Sequence, residues 1–285
     1  MVMSGRSSWM GDHGIRRLRA WGLGAAGVVG AVALWWLFTR AAGAEDPLLS
    51  AFRPERVPAA LGELISRGVL LPDIGVSVLR LGLGLGLAVI IGLPLGLWFG
   101  SSRTAEQAAH PVVQFLRMVS PLSWAPVAVA LFGVGHAPVV FLVAIAAVWP
   151  VVLGTSAGVR AVDPGHLRVA ESLGATRGER LRHVVLPSIR PQVLTGVRTA
   201  LGIGWVILVP AEMLGVSSGL GYEILNARDR LAFDEMLAVI LVIGLLGTIL
   251  DAVARFALHP RVPGSRRRSR SASVLEEASE VTEAA

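Results

Sequence analysis

The chain has 285 residues, of which 53% are hydrophobic and 16% charged, with a formal net charge of +6 and a mean hydropathy of +0.64. This composition is too apolar for the surface of a soluble domain and predicts a protein whose solvent is a lipid bilayer. All 26 basic residues are Arg and Cys is absent, which excludes disulfides, thiolate metal sites and a phosphate-binding loop of the G-x-x-x-x-G-K-[ST] type, because that loop needs Lys.

Six apolar stretches predict the membrane spans. A hydrocarbon core of about 30 Å takes roughly 20 helical residues to cross. The stretches are residues 21–38, 79–99, 121–134, 137–154, 199–214 and 236–258. The third and fifth are short and contain Pro121, Pro126 and Pro210, which is typical of spans buried among other helices. The sequence therefore predicts an all-α, polytopic membrane bundle of about six transmembrane helices.

The first stretch has an alternative interpretation as a cleavable signal peptide. Three Arg residues precede it and the small residues 42–44 follow it, as at a cleavage site. Its apolar run is longer than the core of about 7–15 residues that signal peptides carry, which favours a transmembrane helix. Residues 45–72 are moderately amphipathic and predict an external helix and loop.

The distribution of Arg predicts the orientation. With the N-terminus in the cytoplasm, 19 of the 26 Arg residues lie inside, six lie outside and Arg80 lies within the second span. The positive-inside rule then places both termini in the cytoplasm. This distribution favours a membrane, and not a nucleic acid, as the partner of the basic chain.

The Arg-rich segment between the fourth and fifth spans predicts a folded loop. Asp163 followed by Pro164 is a helix start signal, and Gly174 is a stop signal. The predicted helices are residues 164–173 and residues 177–185, the second stopping before Pro187. Two short helices displayed in the cytoplasm form a compact knob suited to the groove of a partner.

The spacing within this loop resembles a family motif. The matching residues are Gly174, Val184, Leu186 and Pro187, at the spacing of the EAA motif E-A-A-x-x-x-G-x(9)-I-x-L-P of binding-protein-dependent ABC importer permeases. Ala170 fits the second Ala, whereas Arg168 and Val169 stand where the family has Glu and the first Ala. The alternative interpretation is a solvated basic loop that only obeys the topology rule.

The resemblance continues on both sides of the loop. It covers residues 76–258 and includes the segments 121–126, 132–135, 198–205, 211–214, 218–222 and 243–247, which look like the sulfonate, taurine and nitrate branch of these permeases. It implies a type I ABC importer (MetI-like) permease domain at 76–258. Around this domain the sequence predicts a cytoplasmic segment at 1–20, a first transmembrane helix and external segment at 21–75, and a disordered cytoplasmic tail at 259–285.

The resemblance also implies partners and a function. The chain would form the pathway for a small oxyanion such as nitrate, an alkanesulfonate or taurine in a bacterial plasma (inner) membrane, as a homodimer with a second permease copy. Separate ATPase subunits would carry ATP and Mg²⁺, so no cofactor is expected in this chain, and an external solute-binding protein would deliver the cargo. The residues expected to couple to the ATPase are Arg168, Ala170, Ser172, Gly174, Ala175, Leu186 and Pro187.

Four residues within the spans are candidates for the pathway or for pairing helices: Arg80, Trp124, Trp205 and Glu212. For an anionic cargo, an internal ion pair is the better interpretation of Glu212, because a bare carboxylate repels the cargo. Arg80 would be its partner, attract anions or snorkel to the surface. Each Trp either lines the pathway or packs helices. The run Gly82, Gly84 and Gly86 predicts close helix packing, since no strand precedes it as in a nucleotide site.

The sequence contains no pattern typical of an enzyme. No His-x-x-x-His pair supports a metal site, and no Ser/His/Asp arrangement supports nucleophilic catalysis. Three alternatives stay open: a secondary transporter or channel without an ATPase, an integral membrane enzyme, and import of a pyrimidine or vitamin precursor by the same ABC mechanism.

Overall fold

The structure is a computed structural model that describes residues 9–42, 50–214 and 216–258. Within these ranges all regular elements are helices and no strand occurs, which confirms the all-α prediction. The α-helices are α1 Trp9–Ala42, α2 Val57–Ser66, α3 Leu70–Ser101, α4 Arg103–Met118, α5 Ala125–Phe132, α6 His136–Arg160, α7 Pro164–Ser172, α8 Arg177–Arg180, α9 Leu186–Glu212, α10 Leu220–Asp229 and α11 Phe233–Ala257. Short 3₁₀ turns precede α2 and α5, and a π-helical segment, Leu181–Val185, joins α8 to α9.

Five of the helical segments are long and apolar enough to cross a membrane: Gly22–Ala41, Leu70–Ser101, His136–Arg160, Arg177–Glu212 and Phe233–Ala257. They correspond to the predicted first, second, fourth, fifth and sixth spans, with differences only in where each span begins and ends. A sixth crossing requires α4 and the segment Pro121–Phe132 together, which are bent by 87°. The tail predicted at 259–285 lies outside the described residues, and so do residues 1–8 of the cytoplasmic segment predicted at 1–20; residues 9–20 of that segment belong to α1.

The bounds predicted for the third span, 121–134, differ from the structure, in which α4 and Pro121–Phe132 together form the bent pair that could be one span. The helix after the bend, α5, has only 8 residues, about 12 Å, which is too short to cross. Residues 103–118, expected as part of a cytoplasmic loop, form α4 instead. The bend follows from Pro121, which disfavours helical geometry in the residue before it and so interrupts the helix at Val119 and Ser120.

The chain divides into two compact units, residues 1–74 with 222–243 and residues 75–221 with 244–285. In the first unit, the indole N–H of Trp35 donates to the Phe52 carbonyl at 3.0 Å, and that of Trp36 donates to Glu55 at 2.6 Å. These bonds tie the end of α1 to the segment before α2, the predicted external helix. Residues 45–49 of the predicted external segment lie outside the described residues.

A cluster of charges also stabilises the first unit. Arg230 donates to Glu223 at 3.1 Å and to Glu235 at 2.8 Å, and Arg67 also pairs with Glu235. Both acidic residues, Glu223 and Glu235, are buried. The hydrogen bond to Glu235 raises the pKa of the Arg67 guanidinium above its usual value. The cluster ties residues that follow α2 and α10 to the first turn of α11.

In the second unit, α3 and α6 pack along a seam of small residues. A Cβ atom placed on any glycine of the seam would lie within 2.5–2.9 Å of the facing side chain, so the backbones are in close contact. The pairs are Gly84 with Val143, Gly92 with Val151, Gly96 with Thr155 and Gly100 with Val159. Both members of every pair advance together along the chain, always 59 residues apart. The two helices therefore run parallel.

The glycine run at residues 82–86 was predicted to allow close helix packing, and the contacts along the seam test that prediction. Gly84 is packed against α6, as expected, but a Cβ on Gly82 or Gly86 would meet no described atom within 4 Å. Close packing therefore explains only one of the three glycines. On the other side of α6, Gly154 and Gly196 bring α9 close, and a Cβ on Gly196 would lie 2.8 Å from the Pro150 carbonyl oxygen.

Candidate functional site

The loop after α6 is built from two capped helix ends. The Asp163 carboxylate accepts from the Gly165 N–H at 2.7 Å and so caps α7. At the other end, Gly174 adopts φ +78°, and the Ala175 N–H donates to the Ala170 carbonyl at 3.0 Å. These contacts resemble a Schellman termination, which favours glycine at the left-handed position. The predicted helix at 164–173 therefore agrees with α7 to within one residue.

The second helix of the loop differs from its prediction. It was expected to stop before Pro187, but the chain stays helical from Arg177 through the π segment and α9 to Glu212. Pro187 lies in the first turn of α9, directly after the wider π turn. A wide turn leaves room for the proline ring, and the Val184 carbonyl accepts from the Ser188 hydroxyl at 2.6 Å. The predicted fifth span, residues 199–214, is thus the distal part of a longer helix.

The loop exposes apolar as well as basic side chains. Val169 and Leu173 are 60% and 82% exposed, and Leu181 is 41% exposed. Of the residues predicted to couple to an ATPase, Arg168, Ser172, Gly174 and Pro187 are exposed, whereas Ala170, Ala175 and Leu186 are half-buried. Leu173 and Leu181 belong to this exposed surface but were not among the predicted site residues.

A second cluster lies deep in the helix bundle of the same unit. Arg80 on α3 and Glu212 at the end of α9 are 1% and 0% exposed, and Arg80 Nη1 lies 2.8 Å from Glu212 Oε1. The Ser77 hydroxyl, also fully buried, lies 2.9 Å from both carboxylate oxygens of Glu212. Of the three alternatives for Arg80, the structure shows the contact with Glu212. Such a pair is stable out of water only when its hydrogen bonds are satisfied.

Each nitrogen of the Arg80 guanidinium makes a hydrogen bond. Nη1 donates to the Ser218 carbonyl at 2.7 Å, Nη2 to the Ser218 hydroxyl at 2.9 Å, and Nε to Nδ1 of His136 at 3.2 Å. Ser77, His136 and Ser218 were not predicted as members of this cluster. The only local sign of Ser77 in the sequence is its spacing, since it lies one helical turn before Arg80 on the same face of α3.

The turn after α9 closes over this ion pair. Gly219 has φ +102°, and a Cβ there would lie 2.4 Å from Glu212 Oε1. A Cβ on Gly221 would lie 2.2 Å from the Val209 carbonyl oxygen, and the Gly221 N–H donates to Glu212 at 3.0 Å. The segment 218–221 therefore needs glycine at both positions, since the backbone itself contacts the charged groups.

We expect Gly221→Ala to destabilise the protein by about 1–3 kcal/mol, the usual cost of overpacking. The added methyl group meets backbone, which cannot rotate away as a flexible side chain can. The measurement is thermal unfolding of the purified protein in detergent. Gly202→Ala is the matched control, because a Cβ on Gly202 has no described atom within 4 Å; equal melting temperatures for the two variants would contradict the prediction.

The two Trp candidates are both half-buried. Trp205 packs against Gly247, where a Cβ would lie 2.5 Å from the indole Nε1. Trp124 ends the 3₁₀ turn at the bend before α5. Among the described residues, no group of three His, Asp or Glu side chains could hold a metal ion.

Residues 88–262 match the family model of the binding-protein-dependent transport system inner membrane component. The chain belongs to this family of inner membrane permeases. The matched region contains α6, the two-helix loop, α9 and the carboxylate of Glu212. The family assignment agrees with the resemblance that the loop motif indicates.

Several curated relatives of this permease are transport proteins. It is 38% identical over 186 residues to the taurine transport system permease protein of Escherichia coli, covering 65% of this chain and 67% of that protein. It is 33% identical to the bicarbonate transport system permease protein of Synechococcus elongatus, covering 79% and 84%. It is 34% identical to a putative aliphatic sulfonates transport permease protein of Bacillus subtilis, covering 71% and 73%.

The fold of the permease is also found in a solved transporter. An inward-facing structure of the MetNI methionine ABC transporter superposes with a TM-score of 0.56 at 15% sequence identity, covering 66% of this chain and 94% of that chain. The likeness shows a MetI-like type I permease fold, as predicted.

Proposed function

We propose that this permease forms the membrane pathway of an ATP-driven importer for a small oxyanion. Its relatives are permeases for taurine, bicarbonate and aliphatic sulfonates, all substrates with a compact, oxygen-bearing anionic group. The observation that supports coupling to a separate ATPase is the loop of α7 and α8, which is rigidly capped and yet exposes Leu173 almost completely. Val169, one helical turn before Leu173, is also exposed, and an apolar surface formed by neighbouring side chains fits a contact with a partner protein.

The proposed assembly has two permease copies, each with both termini in the cytoplasm. The α7–α8 loop then faces the cytoplasm, where the ATPase subunits bind ATP and Mg²⁺. A solute-binding protein delivers the anion on the opposite side. In this orientation Val169, Leu173 and Leu181 enter the cleft of the ATPase, and the neighbouring Arg residues surround that contact.

Arg80 and Glu212 are assigned a structural role in this proposal. All three guanidinium nitrogens of Arg80 are hydrogen-bonded within the protein, through four hydrogen bonds, and the side chain is 1% exposed, which supports a structural role over contact with a passing anion. Glu212 accepts from Arg80, Ser77 and Gly221 and carries no repulsive bare charge. The pair holds α3, α9 and the turn at 218–221 together.

The test of ATPase coupling uses Gly174, whose positive φ penalises most side chains while leaving space for them. We expect Gly174→Val to weaken co-purification with the ATPase and to lower uptake severalfold, because the left-handed conformation costs about 1–2 kcal/mol. Gly174→Asn should retain both properties, since Asn tolerates that conformation. Uptake is measured in vesicles that contain the complete importer.

Gly178→Ala is the control for this loop, because Gly178 has helical geometry and a Cβ there meets no described atom. The coupling proposal is wrong if the wild-type permease brings down no ATPase, or if Gly174→Val transports at the wild-type rate. Uptake of labelled taurine, nitrate and bicarbonate by the wild-type importer tests the substrate class. Failure of all three would remove the oxyanion assignment.

A further inference from the structure

A cleft of about 420 Å³ lies between α3 and the first turns of α9. Six of its seven lining residues are apolar, among them Leu93 on α3 and Leu186, Val193 and Leu194 on α9. The seventh is Arg190, the only charged residue of the lining. We call this feature the α3–α9 cleft; it combines an apolar wall with one cation.

Contacts along α6 show at which level of the bundle the cleft lies. A Cβ atom on Gly100, near the end of α3, would lie 2.6 Å from the Val159 Cβ of α6. A Cβ atom on Gly158, the preceding residue of α6, would lie 3.0 Å from the Ile189 Cβ of α9. The start of α9, with Arg190, is therefore level with the end of α3.

This level is a membrane surface. The membrane-crossing helix α3 ends at Ser101, the next helix begins with Arg103, and α6 ends at the same level with Arg160. Charged side chains of this kind avoid the hydrocarbon layer. Leu93 lies eight residues before the end of α3, which is about 12 Å deeper. The α3–α9 cleft therefore extends from the surface, at Arg190, into the apolar layer.

Arg190 is available to a ligand. It is exposed and makes no hydrogen bond or ion pair with another residue in the described parts of the chain. By contrast, Arg160, Arg180 and Arg198 each pair with an acidic side chain. A guanidinium group binds a phosphate through two parallel N–H donors. The cleft thus offers a phosphate site at its surface end.

The chemistry of the cleft fits an amphiphile with one anionic group. A free anion at Arg190 would leave the apolar walls uncovered, and an uncharged lipid would leave the cation without a counter-ion. A phospholipid with a net negative charge meets both demands, since its acyl chain enters the apolar layer while its phosphate stays at the surface. Basic pockets between membrane helices bind anionic headgroups in this way.

We propose that the α3–α9 cleft binds an anionic phospholipid, with one acyl chain against Leu93 and Leu194 and the phosphate on Arg190. Leu186 and Pro187 also line the cleft, directly after the π segment. The bound lipid therefore contacts α9 at the end nearest the exposed loop and holds it against α3. This binding goes beyond the proposed transport and does not depend on which substrate is carried, so either proposal can fail without the other.

Thermal unfolding of the purified full-length permease in detergent is the first test. Added phosphatidylglycerol should raise the melting temperature of the wild type, because a ligand that binds only the folded state stabilises it, whereas phosphatidylcholine should not. Arg190→Gln should need about tenfold more phosphatidylglycerol for the same rise, the effect of losing a charge-assisted hydrogen bond. Arg103→Gln is the matched control, since Arg103 is also exposed, has no described partner and lies at the same surface. Equal responses to the two lipids, or a wild-type response of Arg190→Gln, would overturn the proposal.

Lipid retention tests the apolar part of the site. Native mass spectrometry counts the phosphatidylglycerol molecules that stay bound to the purified permease. Val193→Trp fills the cleft and should retain severalfold less of this lipid than Val206→Trp, the matched change at a 68% exposed position of α9 outside the cleft. Equal retention by the two variants would overturn the proposal. Should Val193→Trp fail to fold, Arg190→Gln, which changes no apolar wall, gives the same comparison with Arg103→Gln.

Two other occupants of the cleft are distinguished by further measurements. Inorganic phosphate should not reproduce the rise in melting temperature; an equal rise would show that Arg190 binds a free anion and would overturn the proposal. Because the chain has no Cys, Leu194→Cys reports on a second permease copy, and we expect no cross-link when it is oxidised in phosphatidylglycerol vesicles. A disulfide-linked dimer would show that the second copy fills the cleft and would equally overturn the proposal.

Discussion

Replacing Glu212 by Leu is expected to lower the free energy of unfolding by about 3–5 kcal/mol, the largest effect among the substitutions considered. The change removes the carboxylate and leaves the Arg80 guanidinium charged, buried and without its counter-ion. It also removes the acceptor of the Ser77 hydroxyl and of the Gly221 N–H. Thermal and denaturant unfolding of the purified permease in detergent measure the loss.

Two further variants separate the ion pair from the general effect of substitution. Arg80→Leu combined with Glu212→Leu should recover part of the lost stability, because no unpaired charge then remains buried. Arg198→Ala breaks a half-exposed pair with Asp251, at 3.1 Å, and should cost less than about 1 kcal/mol. A Glu212→Leu variant as stable as Arg198→Ala would refute the structural role of the buried pair.

The second large effect is expected at the seam between α3 and α6. Gly96→Val should destabilise the protein by about 3 kcal/mol, because a Cβ there would lie 2.5 Å from the Thr155 Cβ and 2.7 Å from the Val152 carbonyl oxygen. A backbone atom cannot move aside without shifting the whole of α6. The seam must therefore open, which exposes the core formed by Ala88, Ala147 and their neighbours.

Gly86→Val is the matched control for this prediction, since Gly86 lies on the same helix and a Cβ there meets no described atom. Both variants change helix propensity by the same amount, so the difference between their melting temperatures reports packing alone. We expect the wild type and Gly86→Val to have similar melting temperatures and Gly96→Val to have a clearly lower one. An equal loss in the two variants would mean that the α3–α6 contact is not tight in solution.

The membrane helices were predictable because each leaves a local signal. Long apolar runs mark α3, α6 and α11, and the pair Asp163 and Pro164 marks the start of α7 by its own hydrogen-bonding chemistry. Gly174 similarly marks a left-handed helix end. These signals lie within a few residues of the element that they predict.

Other features depend on contacts between distant parts of the chain. Arg80 and Glu212 are 132 positions apart, and the sequence left open whether they contact each other, the surface or the cargo. His136 and Ser218 join the cluster only because α6 and the turn at 218–221 pack beside α3. The spacing of residues within one helix does not show which distant residues that helix will contact.

Pro121 and Pro187 have different effects on the helix that precedes them. The third span was predicted to begin at Pro121, and the second helix of the loop was predicted to stop before Pro187. At Pro121 a helix not predicted from the sequence, α4, ends, and the chain bends by 87°. At Pro187 the π segment before it widens the turn, and the helix continues. Whether the preceding turn can widen depends on tertiary packing, which the proline itself does not report.

The unbroken helix from Arg177 to Glu212 has a mechanical consequence. Its 36 residues extend about 54 Å, with the exposed loop at one end and the buried carboxylate held by Arg80 at the other. The π turn at Leu181–Val185 lies between these two ends. A rotation of the loop either distorts this irregular turn or is transmitted along α9 to Glu212. The stiffness of that single turn thus sets how much of a rotation at the loop reaches Glu212.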